Sequence, residues 1–261
     1  MKILALGDIF GRPGRKIITS KIDDLKKEYE ADFVIVNIEN ASGGKGVSET
    51  NAKELLALES VDIFTSGNHI WDKKDINNLI QETGRLLRPA NYPDPCPGRG
   101  YSIIRLGDKR IGVINLSGNV YLGQLNNPFL VFDSIYNEIG EICDIICVDF
   151  HAEATSEKIA FGYYTDGRAN VVFGTHTHVQ TADERILDSG TGYITDLGMC
   201  GPYDGIIGVS KEPVIKQFVT QRLSRHEVAD GRIQINGALF TLDSSDFRCT
   251  DIQRIYRIYS S

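Results

Sequence analysis

Four of the five histidines in this 261-residue chain directly follow short apolar segments. They are His69, His151, His176 and His178. Imidazole is both a common metal ligand and a proton donor or acceptor near neutral pH. A lone histidine is more often a packed core or surface group, but here most histidines of the chain share one sequence context. The pattern therefore indicates a site that uses several imidazoles together.

Carboxylate and amide side chains follow other apolar segments in the same way. Asp8 comes after KILALG, Glu39 and Asn40 come after FVIVNI, and Asn68 immediately precedes His69. Each residue alone has an ordinary explanation, such as a helix cap or a turn. Ligands in α/β sheets bind at the carboxyl ends of strands, so five such ends carrying polar residues predict one shared site.

The side chains gathered in this way are suited to metal binding. Carboxylate, imidazole and amide oxygen without thiolate favour manganese, iron or zinc over a structural cysteine–zinc site. Their number exceeds the three or four protein ligands of one catalytic ion, whereas two ions sharing a carboxylate would use all of them. The candidate ligands are Asp8, Glu39, Asn40, Asn68, His151, His176 and His178. The five cysteines include no CxxC pair and are assigned no metal or redox role.

The segment GTHTH at 174–178 raises the question of how its two histidines are used. In an extended strand, alternation puts His176 and His178 on one face, which suggests one shared ion. The number of other candidate ligands favours instead a separate, neighbouring metal for each histidine, with Thr177 turned away between them. We therefore expect the loss of either histidine to empty a different site.

The elements that must position these residues alternate along the chain. Apolar segments predict strands over 2–6, 33–38, 62–66, 144–150, 171–174 and 192–197, and a hairpin over 101–106 and 110–116. Amphipathic segments predict helices over 13–29, 51–58, 73–82, 129–142 and 156–163. This alternation favours one α/β domain over residues 1–261. Its C-terminal part, 201–261, is expected to comprise a cap loop, a helix over 213–222 and two antiparallel strands over 232–242 and 248–258.

Composition and motifs restrict the function further. The net charge of −7 and the pI near 5.3 argue against a footprint for duplex nucleic acid. Asp8 breaks the N-terminal apolar run too early for an export segment or a membrane span, so we expect a cytoplasmic protein without membrane contact. No GxGxxG, GxxxxGK(S/T) or GxSxG motif occurs, which argues against a dinucleotide oxidoreductase, a phosphate-loop nucleotidase and a covalent hydrolase.

The order of the candidate residues resembles the calcineurin-like metallophosphoesterase superfamily, whose blocks are GDxH, GDxxD, GNH(D/E), a lone His and GHxH. Longer phrases over 7–208 resemble the YmdB-like bacterial phosphodiesterases; among them are GDIFGRPGR, NIENASGGKG, GNHIWDKK, DFHAEATSEK, GTHTHVQTAD and ITDLGMCGPYDGIIG. The resemblance implies a four-layer αββα sandwich with two mixed sheets and a dinuclear iron or manganese centre. It also implies hydrolysis of phosphodiesters, including 2′,3′- or 3′,5′-cyclic nucleotides, and it favours a homo-oligomer.

Three positions depart from the pattern of the wider superfamily. Phe10 replaces the histidine of the first block, so we expect Asn40 to supply its amide oxygen to the first metal instead. Glu39 stands where a bridging aspartate is usual. No acidic residue directly follows His69, which leaves Asp72 either as the residue that orients His69 or as a helix cap.

With this resemblance we assign a role to each candidate. The first metal would be bound by Asp8, Glu39, Asn40 and His178, and the second by Glu39, Asn68, His151 and His176. A hydroxide bridging the metals would attack phosphorus, and His69 would protonate the leaving ribose oxygen, unless it is itself a ligand or a supporting group. Arg12 and Lys45 could contact a phosphate or could equally be solvated loop charges. The alternatives are a phosphomonoesterase, or a metal- or nucleotide-binding regulatory protein with incidental activity.

Overall fold

The computed structural model describes residues 1–260, over which strands and helices alternate along most of the chain. The strands are β1 Lys2–Leu6, β2 Asp8–Ile9, β3 Phe33–Asn37, β4 Ile63–Thr65, β5 Tyr101–Leu106, β6 Lys109–Ser117, β7 Ile145–His151, β8 Val171–Thr175, β9 Arg185–Ile186, β10 Gly192–Ile194, β11 Met199–Pro202, β12 Ile233–Leu242 and β13 Cys249–Tyr259. The α-helices are α1 Gly11–Glu28, α2 Glu49–Leu56, α3 Ile76–Glu82, α4 Pro128–Ile139, α5 Thr155–Thr165 and α6 Lys211–Thr220. A short 3₁₀ helix, Ile70–Asp72, precedes α3.

The strands form two mixed sheets. The first sheet runs in the order β2-β11-β12-β1-β3-β4, with β13 paired to β12. The second sheet runs in the order β5-β6-β7-β8-β10-β9. Parallel pairs, such as β1 with β3 and β7 with β8, lie beside antiparallel pairs, such as β1 with β12 and β5 with β6. The expected α/β class with two mixed sheets is confirmed.

Alternation along the strands divides the apolar side chains among three cores. On β1, Leu4 packs with the residues of α1, α2 and α3, whereas Ile3 points the other way and packs with Phe173 of the second sheet. The second sheet is covered on its outer face by α4 and α5, through Phe132 and Phe161. The layers are therefore helix, sheet, sheet and helix, as the four-layer sandwich requires.

The differences from the predicted elements are local. The short strands β2, β9 and β11 were not expected, because two to four residues are too few to show a periodic pattern. Gly201 and Pro202, expected in the cap loop, lie instead in β11, where they pair with β12. The helix expected over 73–82 begins only at Ile76, and the strand expected over 192–197 ends at Ile194.

The C-terminal strands belong to the first sheet. As predicted, β12 and β13 pair in antiparallel register, and β12 lies between β13 on one side and β1 and β11 on the other. A single domain over 1–261 stays a prediction, and residue 261 lies outside the described residues. Within residues 1–260, no helix is both long and apolar enough to cross a bilayer.

Candidate active site

The carboxyl ends of parallel strands from both sheets meet at one place. Asp8 begins β2 just after β1, and the segments that follow β3 and β4 carry Glu39, Asn40, Asn68 and His69. β7 ends on His151, and β8 leads into His176 and His178. A hydrogen bond joins the two sheets here: the N–H of His176, which follows β8, donates to Oδ2 of Asp8 in β2 at 3.1 Å. Asp8, Glu39 and His151 are completely buried. The structure therefore brings the sequence-predicted candidates into one cluster.

One part of this cluster contains Asn40 and His178. His178 Nδ1 lies 3.0 Å from the carbonyl oxygen of Ile207, to which it donates its proton. In a neutral imidazole the other nitrogen, Nε2, then carries a lone pair. That lone pair accepts a hydrogen bond from Asn40 Nδ2 at 3.0 Å, and the ring of Phe10 packs edge-on against His178. His178 is thus held with an electron-pair donor directed into the site.

A second part contains Asn68, His151 and His176. The Thr175 hydroxyl donates its hydrogen bond to Asp149 at 2.7 Å, so it accepts a hydrogen bond from the His151 Nδ1–H at 2.9 Å. His151 Nε2 consequently has a lone pair, which lies 3.0 Å from Asn68 Oδ1 and 3.1 Å from His176 Nδ1. Two hydrogen-bond acceptors, Asn68 Oδ1 and His151 Nε2, therefore face one another. A cation between such groups removes their repulsion.

Glu153 and Glu39 complete this second part. His176 Nε2 lies 3.0 Å from Glu153 Oε2, an arrangement that places a proton on Nε2 and a lone pair on Nδ1. The Glu39 carboxylate accepts backbone hydrogen bonds from Gly67 and His69 and lies 3.6 Å from His151 Nε2. Glu39 is also the sequence neighbour of Asn40, so it adjoins both parts of the cluster.

The electrostatics of the cluster favour a bound cation. Burial, followed by the nearby charge of Asp196, raises the pKa of Asp8 to about 7. Burial also raises the pKa of Glu39 well above its ordinary value, despite the two backbone hydrogen bonds. Burial lowers the pKa of His151 and lowers that of His176 to about 4, so both imidazoles are neutral. Two carboxylates among neutral imidazoles are stabilised when positive charge compensates them.

Two unpartnered atoms support the same conclusion. Within residues 1–260, Asp8 Oδ1 and Asn40 Oδ1 are buried and have no hydrogen-bond partner, although such groups are normally satisfied. Both are hard oxygen donors of the kind that iron and manganese accept. Within residues 1–260, no three His, Cys, Asp or Glu side chains are arranged so that they could hold a metal ion. The candidate ligands contact one another instead. The residue types, lone pairs and unpartnered oxygens fit the binding of divalent metal.

His69 lies beside this cluster and contacts Asp72. Its Nδ1 is 2.9 Å from Asp72 Oδ2, and the same carboxylate oxygen lies 3.1 Å from the Lys45 ammonium group. Asp72 therefore orients His69 and does not cap α3, whose N-cap position is held by Asp75. Burial lowers the pKa of His69, and the Asp72 charge opposes that shift.

The backbone of GTHTH is not extended. β8 ends at Thr175, and His176 and His178 have φ angles of 102° and 65°, in the left-handed region. The argument from strand alternation was wrong, because it assumed that the strand continued. The turn instead directs His176 to His151 and His178 to Asn40, while the Thr177 N–H points away and donates to Asp196 at 3.1 Å.

A buried ion pair that sequence reasoning missed holds this turn. Lys158 on α5 is almost completely buried, and its ammonium group lies 2.6 Å from Asp196 Oδ2 and 2.8 Å from the carbonyl oxygen of Thr175. Positive φ at non-glycine residues costs about 1–3 kcal/mol each and persists only where surrounding contacts enforce it. The available signal was a charged residue beside an apolar segment, Asp196 within GYITDLG.

Lys158→Met is expected to lower the free energy of unfolding by about 3–5 kcal/mol, because Asp196 would stay buried without its cation. Urea unfolding monitored by circular dichroism measures this change. Lys16→Met, on an exposed position of α1, is the matched control and should change stability by no more than about 0.5 kcal/mol. A Lys158→Met protein as stable as the control would contradict the role given to the ion pair.

The fold is shared with solved structures of more distant proteins. The chain superposes on a putative 5′-nucleotidase from Staphylococcus aureus with a TM-score of 0.62 and 13% identity, covering 98% of this chain and 54% of that one. At that identity the likeness concerns the fold alone. The architecture is thus of the metallophosphoesterase and 5′-nucleotidase type.

Closer relatives identify the family. The model of the YmdB-like protein family matches residues 4–255. The 2′,3′-cyclic-nucleotide 2′-phosphodiesterase of Bacillus subtilis (strain 168) is 46% identical over 255 residues, covering 98% of this chain and 96% of that protein. A crystal structure described as a novel phosphatase from Mycoplasma pneumoniae superposes with a TM-score of 0.92 at 36% identity, covering 99% of this chain and 93% of that one. The chain belongs to the YmdB-like family.

Proposed function

We propose that the protein is a dinuclear metallophosphodiesterase that hydrolyses 2′,3′- or 3′,5′-cyclic nucleotides. The observation that carries this proposal is that the two parts of the cluster of candidate metal ligands adjoin. Buried Glu39 lies next to both parts, and half-buried His69 lies beside them. The general activity, hydrolysis of phosphoric esters, is supported by the 46% identity to the Bacillus subtilis phosphodiesterase. We propose the preference for cyclic diesters because the Bacillus subtilis relative is named for the cleavage of such a diester.

The residues divide into two ligand sets that share Glu39. One set is Asp8, Glu39, Asn40 and His178, and the other is Glu39, Asn68, His151 and His176. Oxygen and nitrogen donors without thiolate favour iron or manganese. Two such ions, when bound, supply Lewis acidity toward the phosphate and activate water as the nucleophile. Asn40 here takes the place of a histidine, because Phe10 occupies the position where the superfamily carries one.

His69 moves the proton that the leaving group needs. Asp72 holds Nδ1 and stabilises the charged ring, so that Nε2 is free to donate to the leaving ribose oxygen. Burial, which lowers the pKa of His69, makes the protonated ring a stronger acid, and the Asp72 charge partly opposes that shift. This balance suits a general acid.

Metal analysis with a substrate panel tests the proposal. The purified protein, reconstituted with manganese or iron, is expected to contain two ions per chain and to cleave diesters faster than monoesters. The panel is 2′,3′-cyclic AMP, 3′,5′-cyclic AMP, bis-p-nitrophenyl phosphate and p-nitrophenyl phosphate. Fewer than two ions per chain, or hydrolysis of the monoester alone, would overturn it. A cytoplasmic location and a homo-oligomeric state stay predictions from the sequence.

His176→Ala and His178→Ala are each expected to reduce the metal content from two ions per chain to one, at different sites. The reason is that the two imidazoles face different partners, His151 and Asn40 respectively. Elemental analysis gives the count, and electron paramagnetic resonance of the manganese protein shows whether the remaining ion is still coupled to a second one. His226→Ala, which alters an exposed histidine, should leave two ions. If each variant lost both ions, the assignment to separate metals would be wrong.

A further inference from the structure

An open concavity of about 430 Å³ lies beside the active site. Its lining includes Arg12 and Arg15 from the start of α1, Ser42 and Gly43 from the loop after Asn40, and Lys73 after the 3₁₀ helix. All the charged groups of the lining are basic and it contains no carboxylate, while Pro13 and Val228 add an apolar part. It therefore has the composition of a site for an anion.

Two of its three cations are free to bind a ligand. Arg15 is already used, since its guanidinium group contacts Glu54 at 3.1 Å and the carbonyl oxygen of Ala41 at 2.5 Å. Arg12 and Lys73, by contrast, have no ion-pair or hydrogen-bond partner within residues 1–260. A guanidinium and an ammonium group held near each other without a carboxylate favour a phosphate between them.

The concavity adjoins the metal cluster through the chain itself. Arg12 comes four residues after Asp8, and Lys73 comes four residues after His69. Four residues span at most about 14 Å, even when fully extended.

One aromatic ring separates the two places. The ring of Phe10 contacts His178 on one side, with 5.4 Å between ring centroids. On the other side the glycine loop packs so closely on Phe10 that a Cβ added to Gly44 would lie 2.7 Å from the ring. Phe10 thus contacts both the candidate ligand His178 and the glycine loop that contributes Gly43 to the lining of the concavity.

We propose that this concavity binds a second phosphate of the substrate, next to the phosphodiester that is hydrolysed. The inference rests on the proposed function and names its substrate class: a cyclic nucleotide that carries a further phosphate on its 5′ side. That phosphate is either a terminal 5′-phosphate or the link to a preceding nucleotide. The net charge of −7 on the whole chain limits the contact to one or two phosphates and disfavours a long polyanion.

Three substrates of the metal-loaded enzyme test the subsite. They are 2′,3′-cyclic AMP, its 5′-phosphorylated form, and the dinucleotide ApA with a 2′,3′-cyclic end. We expect kcat/KM to be about tenfold higher for a substrate with the second phosphate, the gain that one charge-assisted contact supplies. Equal gains for both two-phosphate substrates identify a terminal phosphate as sufficient, whereas a gain for the dinucleotide alone identifies the internucleotide link.

Variants of Arg12 and Lys73 test whether the concavity causes the higher kcat/KM of the two-phosphate substrates. In Arg12→Gln/Lys73→Gln the ratio of kcat/KM between two-phosphate and one-phosphate substrates should fall to about one, and it should lose its dependence on salt. Arg105→Gln, which removes an exposed cation from β5, should keep the wild-type ratio. A wild-type ratio near one, or a ratio that the double variant leaves unchanged, overturns the inference.

A binding measurement separates this inference from the proposed function. Adenosine 3′,5′-bisphosphate and AMP are titrated by calorimetry into the metal-loaded wild type and the double variant. The bisphosphate should bind the wild type about tenfold more tightly than AMP, and the double variant should lose that preference. If no cyclic nucleotide is hydrolysed, the proposed function fails while this measurement still tests the subsite. If the bisphosphate has no advantage over AMP, the subsite fails by itself.

Discussion

An Asp8→Asn protein is expected to fold and to lose roughly 10³-fold or more in kcat/KM, because the metals contribute several kcal/mol of transition-state stabilisation. A neutral amide is a much weaker ligand than the carboxylate. The substitution is isosteric and preserves the oxygen that accepts the hydrogen bond from the His176 N–H. Metal content should fall together with activity, and excess manganese should restore part of both.

The same substitution is expected to stabilise the metal-free protein. Burial raises the pKa of Asp8 to about 7, above its ordinary value of 3.8 in the unfolded chain. Because the folded pKa is the higher one, the free energy of unfolding falls as the pH rises from about 4 to about 7, by a few kcal/mol. The amide does not ionise and removes that contribution. Metal-free Asp8→Asn should therefore unfold at a higher urea concentration than the metal-free wild type at pH 8.

Asp188→Asn, which changes an exposed carboxylate, is the matched control and should affect neither activity nor stability. A metal-free Asp8→Asn protein that is less stable than the wild type would indicate a structural role for Asp8. The variant also separates the alternatives for cellular function. An effect in cells that survives Asp8→Asn would favour a regulatory binding protein whose hydrolysis is incidental.

His69→Ala is expected to lower kcat for cyclic nucleotides by roughly 10²–10⁴-fold, the usual contribution of a positioned general acid. Metal content should stay at the wild-type value, because the His69 side chain contacts Asp72 and the backbone N–H that donates to Glu39 is kept in alanine. The ribose oxygen is a poor leaving group and needs a proton. The pH profile of the variant should also lose the ionisation that His69 contributes.

The leaving group provides the critical comparison. p-Nitrophenolate departs without protonation, so hydrolysis of bis-p-nitrophenyl phosphate by His69→Ala should remain within about tenfold of the wild type. Asp72→Asn should show a smaller loss than His69→Ala on cyclic nucleotides, because it removes the orientation of the ring but not the proton donor. Equal losses on both substrates together with a loss of metal would make His69 a ligand instead.

Local patterns were sufficient for the outline of the fold. The apolar segments of β1, β3, β7 and β8 are long enough to show their character, and each is a strand in the structure. Short strands such as β11 could not be predicted, because its residues form a strand only through pairing with β2 and β12. Pairing between distant segments leaves no signal in four residues.

The sequence by itself determined which residues form the candidate site. Asp8, Glu39, Asn68 and His151 each follow or end an apolar strand, and parallel strands necessarily deliver their carboxyl ends to one edge. Residue type and position along a strand are local properties. Both properties can therefore be read from the sequence without knowledge of the fold.

Only the tertiary structure decided how those residues are held. The left-handed turn that separates His176 from His178 depends on the buried pair of Lys158 and Asp196, which come from different elements. The tautomer of His151 likewise depends on Thr175. Such supports come from residues 17 to 38 positions apart in the chain, and their burial removes water as a competing partner. No local pattern encodes a contact that exists only after the strands of the second sheet have paired and α5 has packed on them.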